Sequence, residues 1–133
     1  MTAVLCANLY QATRLARKAA DKPQKTLPVS NHLLIRTHEG RVQVVPFAWE
    51  EREKKSQTCP AVIDVDFATC VPARAFTDWL YATQNPKAKH GEDRIELWYN
   101  PPIVKGERHR LYIRAGQSVV MFYCMDAAEF PAA

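Results

Sequence analysis

Glycine is scarce in this chain, four in 133 residues, so there is no Gly-rich loop whose backbone amides could wrap the phosphates of a nucleotide. The four cysteines, Cys6, Cys59, Cys70 and Cys124, form no Cys-x-x-Cys pair, which excludes a zinc ribbon and a dithiol redox motif. They read as buried or semi-buried free thiols of a reducing cytoplasm. No segment approaches the ~20 consecutive apolar residues of a membrane span. The short apolar stretch Ala3–Ala7 has no basic region before it, unlike a secretory leader. A cytoplasmic protein without membrane contact is expected. His32, His38, His90 and His109 stand in no Ser-His-Asp or Cys-His arrangement, so no catalytic residue is assigned. Asp64 and Asp66 would share one face of a strand, but no third ligand is placed to complete a metal site. No metal and no cofactor is expected.

What the chain does have is enough apolar material, 47% of residues, for one compact core, and its length suits a single domain over 1–133. Eighteen Lys and Arg against fourteen Asp and Glu leave a net charge of +4, which suits a polyanionic partner where the positive charge gathers on one surface. Between Ala7 and Ala20, Leu9, Ala12, Leu15, Ala16 and Ala19 recur at helical spacing, with Gln11, Arg14, Arg17 and Lys18 opposite. That pattern predicts an amphipathic helix with a basic outer face, capped by Asn8 and ended before Pro23. His32–Thr37 and Arg41–Val45 predict a β-hairpin turning at His38-Glu39-Gly40. Ala61–Phe67 predicts a further strand, and Glu50–Gln57 a solvated charged segment. Val71–Leu80 predicts a second helix with Pro72 at or near its first position, Phe76 and Leu80 on one face, and Arg74, Thr77 and Asp78 on the other. Asn85–Glu92 reads as loop; Arg94–Tyr99, Arg108–Ala115 and Ser118–Asp126 read as strands. The order is strand, helix, hairpin, strand, helix and three strands, which argues for an α+β domain. Trp49, Trp79 and Trp98, in separate segments, read as core or interface anchors rather than base-stacking platforms.

Four segments carry a family resemblance. Thr26-Leu27-Pro28-Val29-Ser30-Asn31-His32-Leu33-Leu34, Glu39-Gly40-Arg41-Val42-Gln43-Val44, and Cys70-Val71-Pro72-Ala73-Arg74-Ala75-Phe76 fall in that order. They are followed by Ile113–Pro131, matching at Ile113, Arg114, Gly116, Ser118, Ala128, Glu129, Phe130 and Pro131. Together they resemble the first of the three repeated domains of the bacterial replicative sliding clamp, the β subunit of DNA polymerase III. Two departures stand out. After the hairpin this chain has Phe47-Ala48-Trp49-Glu50 in place of the family's usual run, and Gln24 occupies a position where the family often carries an arginine that approaches DNA, with Lys25 beside it.

The resemblance implies a DNA-clamp fold, two helices packed on mainly antiparallel sheets, with the helices facing the interior of a ring. It implies a non-enzymatic processivity factor, or a domain of one, that binds double-stranded DNA without reading sequence. Arg14, Arg17, Lys18 and Arg74 are the leading DNA-proximal residues, joined by Lys22, Gln24 and Lys25. Phosphate contacts from such residues position without specifying, as sliding requires. A clamp ring closes with six copies of this domain, usually two chains of three, joined by pairing strand edges. A one-domain chain is therefore expected to self-associate or to borrow other clamp domains through such an edge, with the strands near Arg108–Ala115 and Arg36 as candidates. The alternative is a clamp-fold interaction module that forms no ring and regulates or partners a full-length clamp.

Overall fold

The computed structural model describes residues 4–83 and 94–131, without the side chains of residues 4–7. The expected loop Asn85–Glu92, with His90, lies outside the described residues, as does the side chain of Cys6. The elements run β1 (Val4–Ala7), α1 (Leu9–Ala19), a 3-10 turn (Pro28–Asn31), β2 (His32–His38), β3 (Arg41–Val45) and α2 (Arg52–Lys55). They continue as β4 (Gln57–Ile63), β5 (Ala68–Pro72), α3 (Ala73–Thr83), β6 (Arg94–Asn100), β7 (His109–Ala115), β8 (Ser118–Asp126) and a closing 3-10 turn (Ala127–Glu129).

The strands form a closed antiparallel ring in the order β1-β4-β3-β2-β5-β8-β7-β6, with β1 pairing β6 to shut it. The expected hairpin is present: β2 and β3 meet across a two-residue turn in which Glu39 and Gly40 take φ of 51° and 73°. Two consecutive left-handed residues match the twist of the flanking strands, and glycine carries one of them without steric cost.

Both long helices pack against the ring. α1 turns Leu9, Ala12 and Ala16 inward, and α3 turns Phe76 and Leu80 inward. These side chains join Leu33, Ile35, Val42, Val44, Ile95, Leu97, Leu111 and Ile113 in the main core. Each fully buried Leu, Ile or Phe contributes ~1.5–3 kcal/mol of hydrophobic stabilisation. A second cluster lies on the opposite face of β2, β3 and β5, where Leu34, Val45 and Cys70 are covered by Val29, Phe47 and Phe130. The middle of β2 is thus buried on both sides, Leu33 and Ile35 in one core and Leu34 in the other. Phe47 and Ala48, part of the segment that departs from the family run, are fully buried, with Trp49 edge-on to Phe47 and half-exposed.

Several sequence expectations shift. The strand expected over Ala61–Phe67 is β4, which begins four residues earlier because Cys59 is buried opposite Val42; Asp64–Phe67 is the connection to β5. Asp64 and Asp66 therefore occupy an exposed link and not a shared strand face. Val71 and Pro72 belong to β5, pairing with Leu33 and His32, and the helix starts at Ala73. The charged segment contains the single helical turn of α2, and Gln57 opens β4. Asn8 stands at the N-cap of α1 in a left-handed conformation, but its side chain makes no cap bond. Ile63 and Met121, whose apolar side chains in strand segments would be expected in the core, are only partly buried. The strands of Arg36 and of Arg108–Ala115 are not edges, since β2 lies between β3 and β5 and β7 between β6 and β8. One open edge is on β8: only Met125 and Asp126 are in register with β5, while Ser118–Cys124 pair with β7 alone among the described residues; on β4, Gln57–Pro60 likewise pair with β3 alone.

Two outcomes follow from the packing. Thr13 is fully buried on α1, and its Oγ1 has no hydrogen-bond partner among the described residues. A buried orphan hydroxyl costs about 1–3 kcal/mol, so Thr13→Val, which keeps the branched shape, raises stability by about 1 kcal/mol or more in a urea melt. Cys59, Cys70 and Cys124 are buried, and burial pushes the thiols of Cys70 and Cys124 up to about 12 and about 11. The thiolate is the reactive form, so in a colorimetric thiol assay at pH 8 these three react only after denaturation.

Candidate nucleic-acid interface

The helical spacing that buries one stripe of α1 leaves the other in water. Arg14 and Lys18 are exposed and Arg17 is half-exposed, while Ala12 and Ala16 on the opposite side are buried. The basic face is therefore on the surface, as its sequence pattern requires. Arg14 is lightly tethered, its Nη2 donating to Gln11 Oε1 at 3.2 Å. Arg17 and Lys18 fall in the last turn of α1, where the unpaired carbonyls favour cations.

α1 and α3 lie side by side and antiparallel. Tyr10, at the start of α1, meets Tyr81, near the end of α3, with ring centroids 5.7 Å apart. At the other end the C-terminus of α1 comes together with the N-terminus of α3, and a groove of about 820 Å³ opens between them. Arg17, Lys22, His32, Arg74, Asp21 and Asp78 supply its charged and titratable groups, and Leu33, Pro72 and Ala73 are among its apolar lining. The fold thus gathers three of the expected residues, Arg17, Lys22 and Arg74, from three separate segments into one concave surface. Arg14 and Lys18 flank it on the exposed side of α1 without lining it. Gln24 and Lys25 are exposed in the following link and do not line the groove either. There the backbone N–H of Gln24 donates to Ser30 Oγ at 2.7 Å, and Ser30 Oγ donates in turn to the carbonyl of Leu27 at 2.6 Å. These bonds pin the link against the Pro28–Asn31 turn and set where Lys22 and Lys25 stand.

Three groove residues escaped the sequence reading. His32 appeared only as the start of a strand. It lines the groove with Nδ1 donating to the carbonyl of Pro28 at 3.2 Å, and burial lowers its pKa below the usual histidine value. A neutral imidazole at pH 7 follows, so His32 adds shape and a hydrogen-bonding nitrogen rather than charge. Asp21 accepts from the backbone N–H of Trp49 at 3.0 Å, which ties the exit of α1 to the loop after β3. Asp78 lies between two arginines, Oδ1 at 3.9 Å from Arg17 Nη1 and Oδ2 at 3.8 Å from Arg74 Nε. Asp78 was on the polar face of the second helix in the sequence, but its pairing with α1 depends on how the helices pack.

The arrangement can hold a polyanion by charge and shape. Backbone phosphates need cations on a surface they can reach, and Arg14, Arg17, Lys18, Lys22 and Arg74 all meet that condition. Of the aromatic groups, Trp98 of β6 stacks on Tyr112, its in-register neighbour on β7, with ring planes 2° apart. Trp79 is half-buried against the main core, and Tyr81 is exposed on α3. Among the described residues no group of three or more His, Cys, Asp or Glu side chains could hold a metal ion, and no described helix is long and apolar enough to cross a membrane.

Neither a family model nor a curated protein matches the sequence. Solved structures do. The DNA polymerase III β subunit of Thermotoga maritima superposes on 100% of this chain with a TM-score of 0.73 at 20% identity. The β sliding clamp of C. crescentus covers 99% with a TM-score of 0.73 at 17% identity. A putative DNA polymerase III β subunit from Eubacterium rectale covers 100% with a TM-score of 0.74 at 10% identity. The chain spans 32%, 32% and 33% of those three chains, about a third of each. From end to end, it has the fold of a single domain of the DNA polymerase III β sliding clamp.

Proposed function

We propose that this chain is a non-enzymatic sliding-clamp domain that lies against duplex DNA through α1 and the start of α3. The observation that supports this most is the coincidence of the clamp fold with a solvent-exposed cationic surface on the paired helices, built by Arg14, Arg17, Lys18, Lys22 and Arg74. Lys25 and Gln24 extend the contact along the link after α1. Such a surface meets phosphates and leaves base edges unread, which suits movement along DNA in replication or repair. One domain encloses nothing by itself, so in this reading it acts together with further clamp domains, whether of the same polypeptide or of others.

The open stretch of β8 supports that assembly. Val119 and Tyr123 are exposed on it, and an unpaired strand edge is a template for another strand. The alternative reading, an interaction module that uses this edge to engage a full-length clamp without forming a ring, rests on the same feature. Assembly state separates the two.

Two measurements test the proposal. Fluorescence anisotropy with labelled duplexes of unrelated sequence should show weak, equal binding that falls steeply with salt, because each neutralised phosphate contributes about −0.9 to the slope of log K against log salt. The triple replacement Arg14→Glu, Arg17→Glu and Lys18→Glu should abolish it; unchanged affinity, or strong preference for one duplex, overturns the DNA reading. Light scattering across a concentration series should show self-association that Val119→Lys with Tyr123→Lys suppresses. A strict monomer at several hundred micromolar removes the self-assembled ring and favours the interaction module.

A further inference from the structure

Within the DNA-facing groove, two residues, Asp21 and Asp78, have the wrong sign for their surroundings, and only Asp78 stands between two arginines. Asp78 projects from α3 into a surface lined by Arg17, Lys22 and Arg74, and each of its carboxylate oxygens faces a different arginine, at 3.9 Å and 3.8 Å. Both separations exceed the ~2.7–2.9 Å of a charge-assisted hydrogen bond. The carboxylate therefore attracts both guanidinium groups without locking either. The three side chains are solvent-accessible, Arg17 at 39%, Asp78 at 66% and Arg74 at 86%, and exposed pairs of this kind contribute little to stability. Asp21, the other acid of the groove, is already engaged with the Trp49 backbone.

Resting on the DNA reading above, we infer that Asp78 is a built-in competitor for DNA phosphate that keeps each contact of the groove weak. In the absence of DNA the carboxylate shares Arg17 and Arg74. When a phosphate arrives, a guanidinium exchanges one anion for another, so the net gain is small, and the carboxylate left behind repels the phosphate that displaced it. The two arginines belong to different helices, so a single acid moderates the cations of both. The consequence is a surface that guides a duplex without holding any one phosphate for long, which is what movement along DNA needs.

The test compares the full chain with Asp78→Asn in duplex-binding titrations at several salt concentrations, with Asp78→Ser as an independent second variant. Glu96→Gln is the control for net charge: Glu96 lies on the outward side of β6 between the core residues Ile95 and Leu97, and accepts from Arg114 at 2.6 Å. Like the Asp78 variants, it removes one negative charge; it releases one arginine, Arg114, where they release two, and it does so away from the groove. The expected result is affinity about 3–10-fold tighter for both Asp78 variants, with a slope of log K against log salt steeper by about one, and a smaller change for Glu96→Gln. Equal binding by wild type and both Asp78 variants overturns the competitor role and leaves the DNA reading standing. An equal gain in Glu96→Gln overturns it in favour of bulk charge. No binding by any of the proteins at low salt overturns both readings.

Discussion

Closure of the strand ring is the constraint on which the rest of this structure depends. β1 is short, four residues, yet it pairs β4 on one side and β6 on the other. Without it the two groups of strands would be joined only by the brief contact of β5 with β8. A ring satisfies backbone hydrogen bonds between its own strands and leaves few long edges open. It also creates an interior that must be filled to near-crystalline density. The strands supply Leu, Ile and Val; the remaining volume is taken by Leu9, Phe76 and Leu80 from the helices. Once α1 and α3 have inserted those residues, their polar faces have no direction left but outward.

The surface so exposed is cationic but not uniformly so. Arginines at the end of α1 and at the start of α3 come within reach of one acid, and a lysine from the following link completes the groove. A surface of cations alone would bind a polyanion more tightly and release it more slowly. Asp78, in the proposed role, trades affinity for exchange, and the low worth of exposed ion pairs makes that trade inexpensive to the fold.

The second hydrophobic cluster has a different purpose. Phe47 and Phe130 come from irregular segments, and their rings stand 6.2 Å apart and perpendicular over Leu34, Val45 and Cys70. Arg52 covers Phe130, its guanidinium carbon 4.9 Å from the ring centroid, while Nε donates to the carbonyl of Ala48 at 2.9 Å. This lid lets β2 be buried on both sides and fastens the closing turn of the chain to the loop after β3. The segment Phe47-Ala48, which departs from the family run, is thus a structural clasp.

The sequence by itself determined the two long helices, the hairpin, the last three strands and the basic face of α1, because those features rest on local periodicity and turn chemistry. The four motif matches carried the clamp resemblance for the same reason: they sit at turns and element ends, where backbone geometry restricts the residue. The limits of β4 and β5 were not local. Cys59 and Val71 are placed by partners on β3 and β2, and no pattern within Gln57–Pro72 reveals that pairing. Which strands keep open stretches depended on closure of the ring. Only the tertiary structure brought Arg17, Lys22 and His32 to one groove with Arg74 and Asp78, since the sequence puts the last two on one helix and the others in separate segments, and the packing of α1 on α3 sets the distances between them.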